Sequence, residues 1–199
     1  VKKAASIADL TQVYDQYALP EMKKWLSSDG GAAMNASAKD GKLLAIPQYN
    51  DTSDYIMLPF VRKDWLANLN LPEPKNLNDL LNVAEAFATK DPDKNSKNDT
   101  YGIGICKDLI GWIYDTTAIF NGYHAYPGIW IKGSDGNLVY GSVQPEMKAP
   151  LLKLQELYKK GIIDKEFGVK DFNKLVEENT AGKFGIMFGQ WYTPGWPLQ

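Results

Sequence analysis

One cysteine and one histidine are all that 199 residues supply, and each scarcity closes off chemistry. Cys106 alone cannot form an internal disulfide, so it carries no signal about redox compartment and is expected to be a small buried apolar residue. His124 alone argues against a zinc site built on imidazoles and against a histidine-dependent triad; a turn or surface position is expected for it. No apolar run approaches the roughly 18 residues of a membrane span. Charge of neither sign dominates: the net charge is −2 and no stripe of Lys and Arg is present, which argues against a nucleic-acid surface. The sequence also has no G-x-S-x-G, no phosphate-binding glycine loop, no His/Cys cluster, no internal repeat and no low-complexity tract.

What is present suits a packed globular protein. Hydrophobic residues make up 44% of the chain, and its length allows one good core or two small lobes. The chain begins at Val1 without a signal peptide and stops just after a run of aromatics, so a fragment of a larger protein is expected.

Helical and extended patterns alternate, giving an α/β or α+β class. Residues 1–45 read as helical, with Pro20 suited to a first helical position, a break at Ser28–Gly31, a tight turn at Asp40-Gly41 and a short buried strand over Lys42–Pro47. Trp25 and Trp65 sit in helical patterns and are expected in the core. Tyr55–Val61 reads as a strand that Pro59 confines to an edge. Asp64 is expected to cap a short helix through Leu69. Asn76 opens the clearest helix: Leu77, Leu80, Leu81, Ala84 and Phe87 share one face, and Asp79 stands three residues after the cap. Thr100–Ile105 reads as a strand, Ile113–Phe120 as a helix, and Gly128–Gly141 as a hairpin about Asp135-Gly136. Met147–Lys160 reads as an amphipathic helix ending at Gly161, with Pro150 moving its start toward Ala149. Asp171 caps a further helix to about Asn179, and Lys183–Gly189 is an apolar strand.

Two stretches carry candidate chemistry. In DPDKNSKNDT, Asp91, Asp93, Asn95 and Asp99 occupy offsets 1, 3, 5 and 9, and Lys97 at offset 7 would lend its backbone carbonyl. This is the spacing of an EF-hand loop, and three carboxylates suit a hard cation such as Ca2+, which takes about six to eight oxygens. Offset 6 is Ser96 instead of Gly, and offset 12 is Gly102 instead of the bidentate Glu; Thr100, a carbonyl or water would complete the shell. A solvated acidic turn held by Asx hydrogen bonds is the competing account. Because the loop leads into a strand, a structural role is expected over a switching one.

The second stretch is aromatic. Trp112, Tyr114, Tyr123, Tyr126, Trp130, Trp191, Tyr192 and Trp196 fall among turn residues. Sugar rings stack their C–H faces on aromatic planes while carboxylates and amides take their hydroxyls; ordinary core filling is the alternative for any one of them. Trp191 leaves the apolar strand after one intervening residue and is followed by Pro194-Gly195, which points it toward a cleft.

DGKLLAIP, FVRKDWLANLNLPEPKNLNDL, DPDKNSKNDTYGIG, LQELYKKGIIDKEF and GKFGIMFGQWYTPGWPL occur in that order. Together they resemble the family 1 extracellular solute-binding proteins of bacterial ABC importers, above all the large lipoprotein-type members that carry sugars or oligosaccharides, the alginate-oligosaccharide binders included. The resemblance covers essentially the whole chain. It implies a periplasmic-binding-protein type II-like fold, mostly one lobe of a two-lobed clamp. Residues 1–47 correspond to a remnant of the N-terminal lobe up to a hinge crossing within Ala45–Asp51, and residues 48–199 to most of the C-terminal lobe. It implies a structural calcium ion at Asp91, Asp93, Asn95, Lys97, Asp99 and Thr100, the last where some relatives have Glu. It implies that Trp191 stacks on a sugar ring, with Trp112 and Tyr192 nearby and Asn50, Asp51 and Asp54 flanking the crossing to take hydroxyls.

The function this implies is capture of a carbohydrate in an interlobe cleft for delivery to the membrane subunits of an ABC permease, without chemistry. The expected location is extracellular, as a cell-surface lipoprotein, or periplasmic; contact with the membrane would run only through a lipid anchor outside this segment. Two other classes stay open. One is a glycoside hydrolase or polysaccharide lyase using paired carboxylates such as Asp51 and Asp54. The other is a calcium-stabilised lectin or adhesion module.

Overall fold

The computed structural model describes residues 7–48 and 55–197. The chain divides into two compact units, 1–53 and 54–199. Among the described residues no helix is long and apolar enough to cross a membrane.

The first unit holds three short helices, α1 (Thr11–Tyr17), α2 (Pro20–Leu26) and α3 (Ala32–Ala36), then a two-residue ladder of β1 (Ala38–Lys39) and β2 (Lys42–Leu43). Pro20 opens α2, where a missing N–H is harmless. Asp40 and Gly41 both take positive φ, 51° and 74°, the geometry that closes a two-residue hairpin. The Leu43 N–H and C=O are held by Thr11 Oγ1 and the Leu10 N–H at 2.9 and 2.8 Å. Two expectations fail here. The strand foreseen over Lys42–Pro47 stops at Leu43, because the ladder has only two residues to pair with; Leu43 is buried but Ile46 is exposed. Trp25 is 54% exposed, because seven-residue α2 has one inward position and Leu26 takes it.

The second unit runs β3 (Leu58–Val61), α4 (Lys63–Asn68), α5 (Leu77–Thr89), β4 (Tyr101–Ile103), α6 (Thr117–Gly122), β5 (Trp130–Lys132), β6 (Leu138–Tyr140), α7 (Lys148–Lys159), α8 (Phe172–Thr180) and β7 (Phe184–Gly189). Its sheet has the order β3-β7-β4, with β3 antiparallel and β4 parallel to β7. All six residues of β7 are buried, as a central strand of unbroken apolar sequence requires. Pro59 sits on edge strand β3, where its missing N–H breaks no ladder bond. Beyond β4, the Gly102 N–H donates to Ile162 C=O at 2.8 Å and Ile103 bridges Ile163.

Helix α5 covers the sheet with Leu80, Leu81, Val83, Ala84 and Phe87, and Phe87 meets Trp65 edge-on at 5.3 Å. Asn76 Oδ1 accepts the Asp79 N–H at 2.9 Å; Asp79 reaches back, but to the N–H of Lys75 and not of the cap. Asp171 caps α8 as expected, accepting the Lys174 N–H at 3.0 Å. The Asp135-Gly136 hairpin forms, with Trp130 directly opposite Tyr140. Helix α7 starts at Lys148 and tolerates Pro150 because that residue lies in the first turn; Gly161 ends it at φ 75°. Cys106 is buried, and His124 stands exposed at φ 58° after α6.

Two further expectations are corrected. Asp64 does not cap α4; its carboxylate is taken by Arg62, whose Nε donates to Oδ1 at 3.0 Å, although it still occupies the first turn where negative charge is favoured. The helix expected over Ile113–Phe120 begins only at Thr117. Tyr114 takes φ 60°, donates its N–H to Phe188 C=O at 2.9 Å and accepts from the Cys106 N–H at 3.0 Å, so tertiary bonds to β7 and the β4 loop displace helical ones.

Candidate functional site: an aromatic shelf and a polar loop

Because β4 and β7 are parallel, the loops that follow them leave the same edge of the sheet. That is the edge at which open α/β sheets bind ligands. The chain after β7 turns tightly: Thr193 N–H donates to Gln190 C=O, and the N–H groups of Gly195 and Trp196 to Tyr192 C=O. The chain after β4 carries Trp112. Trp112, Phe172 and Trp196 lie face to face, with centroids 5.2–5.4 Å apart and planes within 21–30°. Trp191 meets Tyr192 edge-on at 5.6 Å. All three tryptophans stay partly exposed despite these contacts: Trp112 is 42%, Trp191 63% and Trp196 49% exposed.

Polar groups pin this shelf at the edge of the Trp112 ring. Trp112 Nε1 donates to Gln190 Oε1 at 3.2 Å and to the Tyr192 hydroxyl, which in turn donates to Gln190 Oε1. The Asp115 carboxylate, 2% exposed, accepts from the Gly111 N–H at 3.3 Å and from the Thr117 N–H and hydroxyl at 3.1 and 2.7 Å. Burial pushes the Asp115 carboxyl up, against the opposing pull of those hydrogen bonds. By holding Gly111, it fixes the backbone next to Trp112. Tyr114 supports Phe172 at 5.8 Å and Phe184 at 5.7 Å; burial raises its phenol, and its hydroxyl has no partner among the described residues.

The structure thus brings Trp112, Trp191 and Tyr192 together from positions about 80 residues apart in sequence. Asn50, Asp51 and Asp54, expected to flank a hinge crossing, lie outside the described residues. Sequence reasoning passed over Gln190 and Phe172. The only signal for Gln190 was a polar residue between an apolar strand and an exposed Trp.

The polar loop joins α5 to β4 at the far end of that strand. Asp91 Oδ1 and Oδ2 accept the N–H groups of Asn95 and Ser96, both at 3.0 Å. Asn95 Nδ2 donates to Asp93 Oδ2 at 2.8 Å and to Asp99 Oδ1 at 3.1 Å, and Lys97 N–H donates to Asn95 Oδ1 at 2.7 Å. Ser96, where an EF-hand would have Gly, takes φ 61°. The Lys183 ammonium, 2.8 Å away, and the Asn95 amide hold the Asp99 carboxyl below its usual range. Thr100, expected among the ligands, donates its hydroxyl hydrogen to Phe87 C=O in α5 at 2.9 Å, which keeps its oxygen lone pairs free to accept. Among the described residues no three carboxylate, imidazole or thiolate groups converge on one point. Two carboxylates do share a single donor, the Asn95 amide, and the oxygen-rich donor set fits a hard divalent cation.

No protein-family model matches the chain. Three proteins do. The polygalacturonan/rhamnogalacturonan-binding protein YtcQ of Bacillus subtilis is 36% identical over 150 residues, 75% of this chain and 29% of YtcQ. Lipoprotein LipO of the same organism is 31% identical over 167 residues, 82% of this chain and 32% of LipO. The ABC-transporter substrate-binding protein FusA of S. pneumoniae, solved as an EF-hand mutant with fructo-nystose, superposes with a TM-score of 0.71 at 25% identity, over 92% of this chain and 39% of FusA. The chain is homologous to the solute-binding proteins of bacterial ABC transporters. The fold class expected from the resemblance holds: the structural neighbours are periplasmic-binding-protein type II solute-binding proteins. The chain spans about a third of the length of the curated relatives it matches.

Proposed function

We propose that this chain is part of a solute-binding protein that captures an oligosaccharide and hands it to an ABC permease without altering it. The observation that carries this reading is the shelf. Three partly exposed tryptophans stand at the edge of the sheet where the loops after β4 and β7 leave it, and one of them is locked in place by a buried glutamine. Flat apolar faces beside fixed polar atoms are what a sugar ring requires. Trp191, Trp112 and Tyr192 would form the stacking surface, and Asn50, Asp51 and Asp54 would contribute hydroxyl contacts. Relatives named for polygalacturonan and for fructooligosaccharide support the ligand class. The relative named a lipoprotein supports a cell-surface location with a lipid anchor elsewhere in the protein.

A thermal-shift screen of the full-length protein against kestose, maltotriose and trigalacturonate tests the assignment. A ligand present at a hundred times its Kd stabilises the native state by about 2.7 kcal/mol, so at least one sugar is expected to raise Tm clearly. No shift with any of the three, or the release of new reducing ends during incubation, would overturn the reading.

The polar loop is proposed to hold Ca2+ as a structural brace, through Asp91, Asp93, Asn95, the Lys97 carbonyl, Asp99 and Thr100. The mutual bonding of Asn95 with Asp93 and Asp99 supports this, because a hard cation offers both carboxylates what the amide now offers. EDTA is expected to lower Tm and added calcium to restore it. Asp93→Ala should erase that difference, and it is a cleaner variant than Asp91→Ala, since Asp91 also caps two backbone N–H groups of the loop. Identical melting of the wild type with and without chelator would remove the ion from the account.

A further inference from the structure

Gln190 is 7% exposed, the second polar residue in a run that is otherwise apolar or aromatic, and its amide orientation is decided by chemistry. An indole N–H can only donate, so the amide atom facing Trp112 Nε1 at 3.2 Å must be the oxygen. The Tyr192 hydroxyl donates to the same oxygen while accepting from Trp112. With Oε1 held twice, Nε2 is turned the other way, and among the described residues no partner takes it. It does not belong with the fully buried polar atoms that lack a bond, which are Trp65 Nε1, Tyr114 Oη and Thr193 Oγ1, so Nε2 keeps contact with solvent. A fixed side chain with an unused pair of N–H donors therefore stands at the edge of the shelf.

We infer that Gln190 is a specificity-determining residue: it donates Nε2–H to an acceptor oxygen of the sugar that stacks on the neighbouring tryptophans. The inference rests on the oligosaccharide reading and deepens it. Stacking accepts any ring with an apolar face, whereas a pinned donor distinguishes a ring that places a hydroxyl above it from one that does not. The same amide locks the Trp112 indole, so recognition of the sugar face and of its hydroxyl depend on one side chain.

The test uses the full-length protein and whichever of kestose, maltotriose and trigalacturonate binds best, together with its singly deoxygenated analogues. Gln190→Glu keeps the oxygen that serves Trp112 and Tyr192 but replaces the donor with an acceptor. It is expected to weaken binding by at least about tenfold while leaving the near-ultraviolet circular dichroism of the tryptophans unchanged. One deoxygenated analogue should weaken binding to the wild type by a similar factor and bind Gln190→Glu no more weakly than the parent sugar does. Wild-type affinity in Gln190→Glu, or a wild type indifferent to every deoxygenation, overturns the inference; the second result does not depend on how the variant folds. If none of the three sugars binds, the oligosaccharide reading itself falls. If Trp191→Ala loses binding and Gln190→Glu does not, only this inference does.

Discussion

Gly102→Ala is expected to cost about 3 kcal/mol of stability or to prevent folding altogether. Gly102 lies in β4, under α5, where helix and strand approach until no side chain fits between them. A Cβ there would lie 2.3 Å from the Ala84 carbonyl oxygen, 2.7 Å from its carbon and 2.8 Å from Ile162 Cγ2. Overpacking a core ordinarily costs about 1–3 kcal/mol because side chains can move aside. Here the obstacle is helix backbone, so relief would need α5 to lift from the sheet as a unit. That would uncover Leu80, Leu81 and Phe87, all buried against it. The consequences would also reach function, since the polar loop leaves the end of α5 and the Trp112 loop leaves the end of β4. Urea unfolding of the full-length protein checks this, with Gly168→Ala as control, because a Cβ at Gly168 meets nothing within 4 Å. Equal unfolding midpoints for the two variants would show that the close approach is softer than its distances imply.

The features legible in sequence were those governed by a few neighbouring residues. Asn76 and Asp171 announce helix starts because a short polar side chain satisfies an N–H three residues on, and both do so. Lys183–Gly189 announces a central strand because only a strand buried on both faces tolerates such an unbroken apolar run. Asp135-Gly136 announces its turn by backbone preference alone. Where distant groups decide, local pattern misleads. Tyr114 looks helical in its own window, yet its backbone bonds to Phe188 and Cys106 hold it out of the helix. Asp64 looks like a cap until Arg62 claims it. Trp25 and Leu26 are neighbours on a short helix, and composition cannot say which of them turns inward. The shelf lies at the far extreme: Trp112 and Tyr192 are 80 positions apart and meet only because β4 and β7 run parallel. Family resemblance pointed to Trp112 and Trp191; no spacing rule within this chain would have paired them. Gln190 was missed for the same reason, since an isolated glutamine means nothing until the indole it holds is in place.

Trp191→Ala is expected to reduce sugar affinity by about 70-fold while leaving stability within about 0.5 kcal/mol of wild type. A tryptophan buries about 150–250 Å2 when fully covered. A sugar ring lying on one face would cover roughly half of that, and about 100 Å2 at 25 cal/mol per Å2 is near 2.5 kcal/mol. Trp191 is the tryptophan on which binding and folding separate most cleanly. It is 63% exposed and, among the described residues, its only ring contact is the edge of Tyr192, so little native packing is lost with it. Trp112 would not serve, because its indole stacks on Phe172 and Trp196 and donates to Gln190 and Tyr192; its loss would loosen the whole shelf and confound contact with support. Titration calorimetry of Trp191→Ala and Trp191→Phe with the tightest-binding sugar reads the effect. The phenyl ring should recover part of the loss, because stacking scales with the face presented and requires no indole N–H. A Kd within twofold of wild type for the alanine variant would mean that the ligand lies elsewhere and that the exposed tryptophans serve another surface.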